Sequence, residues 1–265
     1  MRVVANISLM FKSKPLLERY SLAKKLGFKL IELPFGFSES AEALKKAADE
    51  NGLQHILINA KNHETLGGLA CRKEYLNEFR ENMDTTLSYA KTLGCQMCDF
   101  FEVCSFNASD FRVHVMAGEG NANDEPTFVE NIKYASKLLA EHKMLCVIEP
   151  LNPHNFPNYF LNSYAQAKNI IEQANEPNLK ILYDVYHAQL ICGQITHTLQ
   201  ELHPLIGHIQ VSQPPGRHEP DSDGEINFEY VFNLLKKLNP NWYIGAEYLE
   251  TVDNVDWIQK YGLSS

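Results

Sequence analysis

The stretch MLCVIEP, residues 144–150, carries an apolar run that ends abruptly in a carboxylate and a proline. Its apolar residues are continuous rather than alternating, which is how a strand reads when both of its faces are covered. Seven other runs share this character: VVANISL from Val3, KLIELP from Lys29, QHILINA from Gln54, RVHVMAG from Arg112, LKILYDV from Leu179, GHIQVSQ from Gly207 and WYIGAEY from Trp242. Between them lie helical patterns over Pro15–Leu26, Ser40–Asn51, Lys73–Leu93, Pro126–His142, Ser163–Ala174, Phe228–Leu238 and Val252–Tyr261. A weaker one near Thr198 runs into Pro204. Several have a glycine just past the end, Gly27, Gly52 and Gly94, the usual helix stop. Strand–helix alternation along the whole chain predicts a parallel α/β sheet. Eight strands in 265 residues predict a closed (β/α)8 barrel, a TIM barrel, in one domain spanning residues 1–265. An open doubly wound sheet is the second choice, but its glycine-rich phosphate loop is missing.

One stretch breaks the rhythm. Residues 96–111, QMCDFFEVCSFNASDF, are far longer than an ordinary αβ loop and read as an insertion or irregular segment on the N-terminal face of the barrel.

Composition narrows the function classes. The chain is 45% hydrophobic and 22% charged, ordinary for a globular protein, with a formal net charge of −9. That balance argues against nucleic acid as a partner, because such affinity rests on Lys and Arg neutralising phosphates. The opening MRVVANISLM is too short and too polar for a signal peptide, and no apolar run is long enough to span a membrane, so a cytoplasmic location is expected. The six cysteines are read as free thiols, since the pair Cys95 and Cys98 lacks the second pair that a zinc ribbon needs.

Polar residues stand at or near the C-terminal ends of the predicted strands: Glu32, Asn59, His114, Glu149, Asp184, Gln210 and Glu247. In a parallel barrel these ends share the face where active sites form. Glu149, Asp184, Gln210 and Glu247 fall on four consecutive strands, each about one βα unit from the next. Three converging carboxylates would repel one another, a conflict that a divalent cation resolves, and an all-oxygen set suits Mg²⁺ or Mn²⁺ better than Zn²⁺. The plain alternative is a ring of hydrogen-bonded polar strand ends with no ligand. His187, three residues past Asp184, is placed at the same mouth, while His208 shares a strand face with Gln210 one layer deeper. The loop PPGRHEP, Pro214–Pro220, sets Arg217 where its planar fork can clamp a carboxylate. His218 and Glu219 beside it are weaker candidates, and DSDGE, residues 221–225, reads as a polar turn.

The segments VIEPLN (147–152), YDVYH (183–187), GHIQVSQPPGRHEPDSDGEINF (207–228) and IGAEY (244–248) closely resemble the hydroxypyruvate isomerase family, a branch of the xylose isomerase-like barrels. The resemblance runs over nearly the whole chain. It implies interconversion of hydroxypyruvate and 2-hydroxy-3-oxopropanoate (tartronate semialdehyde) through an enediolate, a place in glyoxylate metabolism, and a small keto-acid as the partner. It also implies that Glu149 and Glu247 are the acid–base pair and that these two, with Asp184 and Gln210, form the metal site. His187 and Arg217 would bind substrate, the arginine at its carboxylate. Sugar epimerases of the superfamily tend to have histidine at the position of Gln210. Whether the cation is essential stays open. Other readings are an isomerase or epimerase of another keto-acid or ketose such as 2-oxo-tetronate, a metal-dependent apurinic-site endonuclease, and a binding protein without activity. Barrels of this kind often self-associate as homo-oligomers, though no interface is legible in the sequence.

Overall fold

The computed structural model describes residues 1–63, 67–94 and 110–265. Eight parallel strands close into a barrel in chain order: β1 (Arg2–Asn6), β2 (Leu30–Leu33), β3 (Gln54–Asn59), β4 (Arg112–His114), β5 (Leu145–Ile148), β6 (Leu179–Asp184), β7 (Ile206–Val211) and β8 (Tyr243–Ala246). Closure comes from β1 beside β8, with Ala5 opposite Ala246 and Val4 opposite Gly245. All eight apolar runs of the sequence are strands.

The helices are α1 (Leu16–Lys25), α2 (Ala41–Asn51), α3 (Leu76–Gly94), α4 (Glu125–Ala140), α5 (Tyr164–Ala174), α6 (Val185–Ile191), α7 (Ile195–Leu202), α8 (Phe228–Leu238) and α9 (Asp256–Lys260). Their starts follow local chemistry. Ser40, Ser163 and Asn227 each accept a hydrogen bond from a backbone N–H of the first turn of α2, α5 and α8. Gly52 ends α2 in the left-handed conformation.

Two expectations need correction. The last helix is shorter than Val252–Tyr261, because the N–H groups of Thr251 and Val252 bond to the buried carboxylate of Glu219 instead of opening a helical turn. Helix α6 was not anticipated. It begins at the residue after β6, and Asp184 caps it by accepting from the Tyr186 N–H at 2.8 Å. The reading of residues 96–111 as an insertion falls almost wholly outside the described residues, as does the Cys95–Cys98 pair.

Period-two alternation sorts each strand into an outer and an inner face. On β1, Val3 and Ala5 join the large core between barrel and helices, while Val4 belongs to a separate cluster with Leu30, Ile56 and Tyr243 inside the barrel. Above that floor the interior turns polar, with Asn6, Glu32, His208 and Gln210 all buried. No helix among the described residues is long and apolar enough to cross a membrane.

Gly245 shows how tightly this polar layer is filled. A Cβ there would lie 2.6 and 2.7 Å from the two carboxylate oxygens of Glu32 and 2.8 Å from Cγ of Gln210. Gly245→Ala is therefore expected to cost about 1–3 kcal/mol of stability, the usual scale for overpacking, measured by urea unfolding. A wild-type midpoint for the variant would mean that the Glu32 layer yields freely.

Candidate active site

Five of the polar strand ends, Asn59, His114, Glu149, Gln210 and Glu247, line a cavity of about 230 Å³ at the C-terminal face of the barrel. Glu149 follows β5, Asp184 ends β6, Gln210 lies near the end of β7 and Glu247 follows β8. All four are buried. The fold thus brings the four sequence candidates to one mouth, with His187 from the first turn of α6 and Arg217 from the loop after β7.

Burial is the first cause of the unusual acidities here, because removing water penalises the charged carboxylate. It raises Glu149 well above the ordinary value, and the negative charges of Glu247 and Asp184 push in the same direction. Asp184 is also raised by burial, with the Arg217 cation pulling against it. Glu247 is raised to about 8, again by burial, and again opposed by Arg217. One Nη of Arg217 donates to both Asp184 Oδ2, at 3.1 Å, and Glu247 Oε2. Its guanidinium also stacks over Tyr186, 5.1 Å from the ring centre. Burial disfavours the guanidinium charge, but Glu247 and Asp184 outweigh it and hold Arg217 firmly charged.

The loop that carries Arg217 is clamped on both sides. Gln213 and His218 exchange backbone hydrogen bonds at 2.9 and 3.1 Å, and the Gln213 side chain pairs with both backbone groups of Ile226. The Arg217 carbonyl accepts from the Leu249 N–H at 2.8 Å, and Arg217 itself has a φ of 56°, in the left-handed region. Buried Glu219 accepts from Thr251 and Val252, which ties this loop to the one after β8.

Two histidines face the carboxylates with opposite polarity. The Nδ1 of His187 accepts from the Asn152 backbone N–H at 2.9 Å, so in the neutral ring Nε2 carries the proton. That Nε2 lies 3.7 Å from Asp184 and 4.0 Å from Glu149. The Nδ1 of His114 lies 3.1 Å from the Asn59 side-chain oxygen, an acceptor, which leaves a bare Nε2 lone pair 3.6 Å from Glu149. Burial keeps both rings neutral, lowering His187 well below its ordinary value and His114 to about 3.

Among the described histidine, cysteine and carboxylate side chains, Glu149, Asp184 and His187 form a group of possible ligand atoms all within 4.8 Å of one another. It differs from the expected Glu149, Asp184, Gln210 and Glu247. Glu247 is turned toward Arg217 and toward Asn6 Nδ2, which donates at 3.1 Å, and the Gln210 amide nitrogen donates to Glu32 at 2.8 Å. His187, in contrast, presents a proton rather than a lone pair. The oxygens Glu149 Oε1 and Gln210 Oε1 are buried with no hydrogen-bond partner among the described residues. A carboxylate-rich set with two orphaned oxygens fits a hard divalent cation.

Sequence reasoning placed Glu32 only as a polar strand end. In the structure its carboxylate accepts from Asn6, His208 and Gln210 at 2.8, 2.7 and 2.8 Å and supports the floor of the site. Asn6 was missed, although it closes the first apolar run as Glu149 closes the fifth. His208 is the supporting partner rather than an idle core residue.

The model of the xylose isomerase-like TIM barrel family matches residues 20–261. A Caenorhabditis elegans protein provisionally named hydroxypyruvate isomerase is 42% identical over 99% of this chain and 98% of its own. The chain belongs to the hydroxypyruvate isomerase family of xylose isomerase-like TIM barrels. It is accordingly an isomerase. A 2-oxo-tetronate isomerase of Haemophilus influenzae is 32% identical over 98% of this chain and 99% of its own. Among solved structures, one described as an AP endonuclease, family 2, from Brucella melitensis is 31% identical, covers 98% of both chains and has a TM-score of 0.88. An L-ribulose 3-epimerase, at 16% identity, 98% coverage of this chain, 85% of its own and a TM-score of 0.73, shares the fold.

The shifted acidities have a consequence for stability. A carboxyl with a raised folded value keeps its proton in the native state where the unfolded chain has lost it, so the unfolded chain binds fewer protons and rising pH favours unfolding. The lowered histidines act in the opposite sense, but only below their ordinary value of 6.5. Between pH 6.5 and about 8 the three raised carboxylates outweigh the single N-terminal amine, which burial lowers from 8.0 and which acts in the opposite sense. Chelator-treated protein should lose stability across that window, and saturating Mn²⁺, which binds the deprotonated carboxylates, should flatten the loss. Urea melts with and without Mn²⁺ test this; chelated protein whose stability holds or rises over the window contradicts it.

Proposed function

We propose that this isomerase interconverts hydroxypyruvate and 2-hydroxy-3-oxopropanoate, with Glu149 and Glu247 as the acid–base pair. The observation that carries the reading is two buried glutamates with raised acidities at one cavity, with Arg217 bridging Glu247 to Asp184 and the Asp184 carboxylate within 4.8 Å of that of Glu149. The full-length relatives named for this reaction support it.

Hydroxypyruvate has a carbonyl at C2 and a hydroxymethyl group at C3. One glutamate removes a proton from C3, and the electrons of the C–H bond form the C2–C3 double bond of an enediolate. The other glutamate delivers a proton to C2, while the O3 proton passes to O2, leaving a carbonyl at C3. Raised acidities bring carboxylates close to the working pH and suit them to both tasks. The protonated Nε2 of His187 donates to the oxygen that gains charge. Arg217 keeps Asp184 and Glu247 together and faces the substrate beside them. Glu149, Asp184, Gln210 and Glu247 would hold a divalent cation, Mg²⁺ or Mn²⁺, as the two orphaned oxygens support. When bound, the cation supplies Lewis-acid stabilisation of the charge on the C2 and C3 oxygens.

The 2-oxo-tetronate relative suggests the same chemistry on a longer keto-acid. Action on abasic DNA, suggested by the Brucella neighbour's description, fits poorly with a net charge of −9 and a mouth built around carboxylates. We place the reaction in the cytoplasm and in glyoxylate metabolism.

Glu149→Gln and Glu247→Gln should each lower kcat/KM for hydroxypyruvate by at least about 10²-fold, followed through tartronate semialdehyde formation. Wild-type activity should vanish with EDTA and return with Mg²⁺ or Mn²⁺. Near-normal turnover in either variant would remove that glutamate from the chemistry, and indifference to EDTA would remove the cation.

A further inference from the structure

A 2-keto acid brings its own negative charge into a cavity already walled by Glu149 and Glu247, with Asp184 buried behind them. A cation must meet that charge, because a like charge at close range is strongly unfavourable. Two basic side chains line the cavity, Arg217 and Lys12. Arg217 is already committed to Asp184 and Glu247. Lys12 is exposed at the mouth and, among the described residues, has no ion pair or side-chain hydrogen bond.

The segment that presents Lys12 is held in place from both ends. The side-chain oxygen of Asn6 accepts from the backbone N–H groups of Ser8 and Leu9. The next residue but one, Phe11, has a φ of 63°, a left-handed conformation that a non-glycine residue keeps only where its surroundings impose it. Its N–H donates to Glu250 Oε1 at 2.8 Å, across to the loop after β8, and its carbonyl accepts from the Lys14 N–H at 2.9 Å. Asn6 also touches Glu247. The segment that bears Lys12 is therefore anchored to the acid–base machinery at one end and to the β8 loop at the other.

The substrate's own geometry completes the argument. C2 and C3, whose oxygens change in the reaction, belong beside Glu149 and Glu247 deep in the cavity, so the C1 carboxylate points to the opening. Phe35 and Phe156 flank that opening, 61% and 39% exposed, and offer no charge. We infer that Lys12 binds the substrate carboxylate and thereby restricts this site to short 2-keto acids over neutral ketoses. The inference rests on the proposed isomerisation and reassigns the carboxylate from Arg217 to Lys12. A flexible ammonium suits carboxylates at slightly different depths, so hydroxypyruvate and a four-carbon homologue can share one anchor.

The test compares wild-type protein, Lys12→Met and Lys12→Arg, loaded with Mn²⁺, on hydroxypyruvate and on dihydroxyacetone, in which a hydroxymethyl group replaces the carboxylate. Loss of a charge-assisted contact made equally in ground and transition states should raise KM by about tenfold or more with kcat little changed. Lys12→Arg should restore most of the affinity, and dihydroxyacetone turnover should be the same in all three proteins. Calorimetric binding of hydroxypyruvate should weaken in parallel. Wild-type protein that converts hydroxypyruvate, with an unchanged KM in Lys12→Met, overturns the role of Lys12 and leaves the isomerase reading intact. Wild-type protein that binds hydroxypyruvate without converting it overturns the reaction, and the calorimetric comparison then decides Lys12. Wild-type protein that neither binds nor converts it overturns both.

Discussion

The mutual repulsion of Glu149, Asp184 and Glu247, buried together at one mouth, is the constraint that the rest of the site answers. Buried carboxylates without compensation would simply stay protonated. Here a single guanidinium bridges two of them, and the loop after β7 is shaped around that bridge. The left-handed backbone of Arg217, the Gln213 clamp on Ile226 and the Glu219 strap to Thr251 all fix one arginine in place. A loop that only connected β7 to α8 would need none of these contacts.

Beneath the mouth lies a second polar layer centred on Glu32. Three donors from two strands, Asn6 on β1 and His208 and Gln210 on β7, satisfy its two oxygens. Asn6 links the layers, because its amide nitrogen donates to Glu32 below and to Glu247 above. Both Glu32 oxygens are satisfied, which holds the donors in place, while Gln210 Oε1 and His208 Nδ1 are buried with no partner among the described residues. The layer therefore orients Gln210 and Glu247 before any ligand arrives. It also explains the missing side chain on β8, since the space that a residue at position 245 would fill belongs to the Glu32 carboxylate.

The barrel was legible because parallel strands covered on both faces leave continuous apolar runs, and each run ended in a polar residue on the shared face. The four strand-end candidates followed from that pattern alone. Helix α6 was hidden because Asp184 ends a strand and caps a helix at once, leaving no loop between them to signal the change. The shortened last helix was hidden because its competitor, Glu219, lies more than thirty residues away in the chain. Lys12 carried no signal at all: a lysine in a loop reads as a solvated surface charge until the fold places it at a cavity. The partners of Arg217 belong to the same class, since a sequence shows that an arginine is near a mouth but not which charges it meets there.

The two histidines show why side-chain type alone under-determines a site. By composition, His187 and His114 are equal candidates for metal ligands. The backbone N–H of Asn152 settles the first, since it occupies Nδ1 and leaves a proton on Nε2, facing Asp184 and Glu149. The Asn59 oxygen settles the second in the opposite sense. A ring held as a donor serves a substrate oxygen and not a cation, so the ligands that remain at the mouth are mainly oxygens. That leaves the site with hard donors on one side and a positioned N–H on the other, an arrangement suited to an enediolate, whose two oxygens carry the charge.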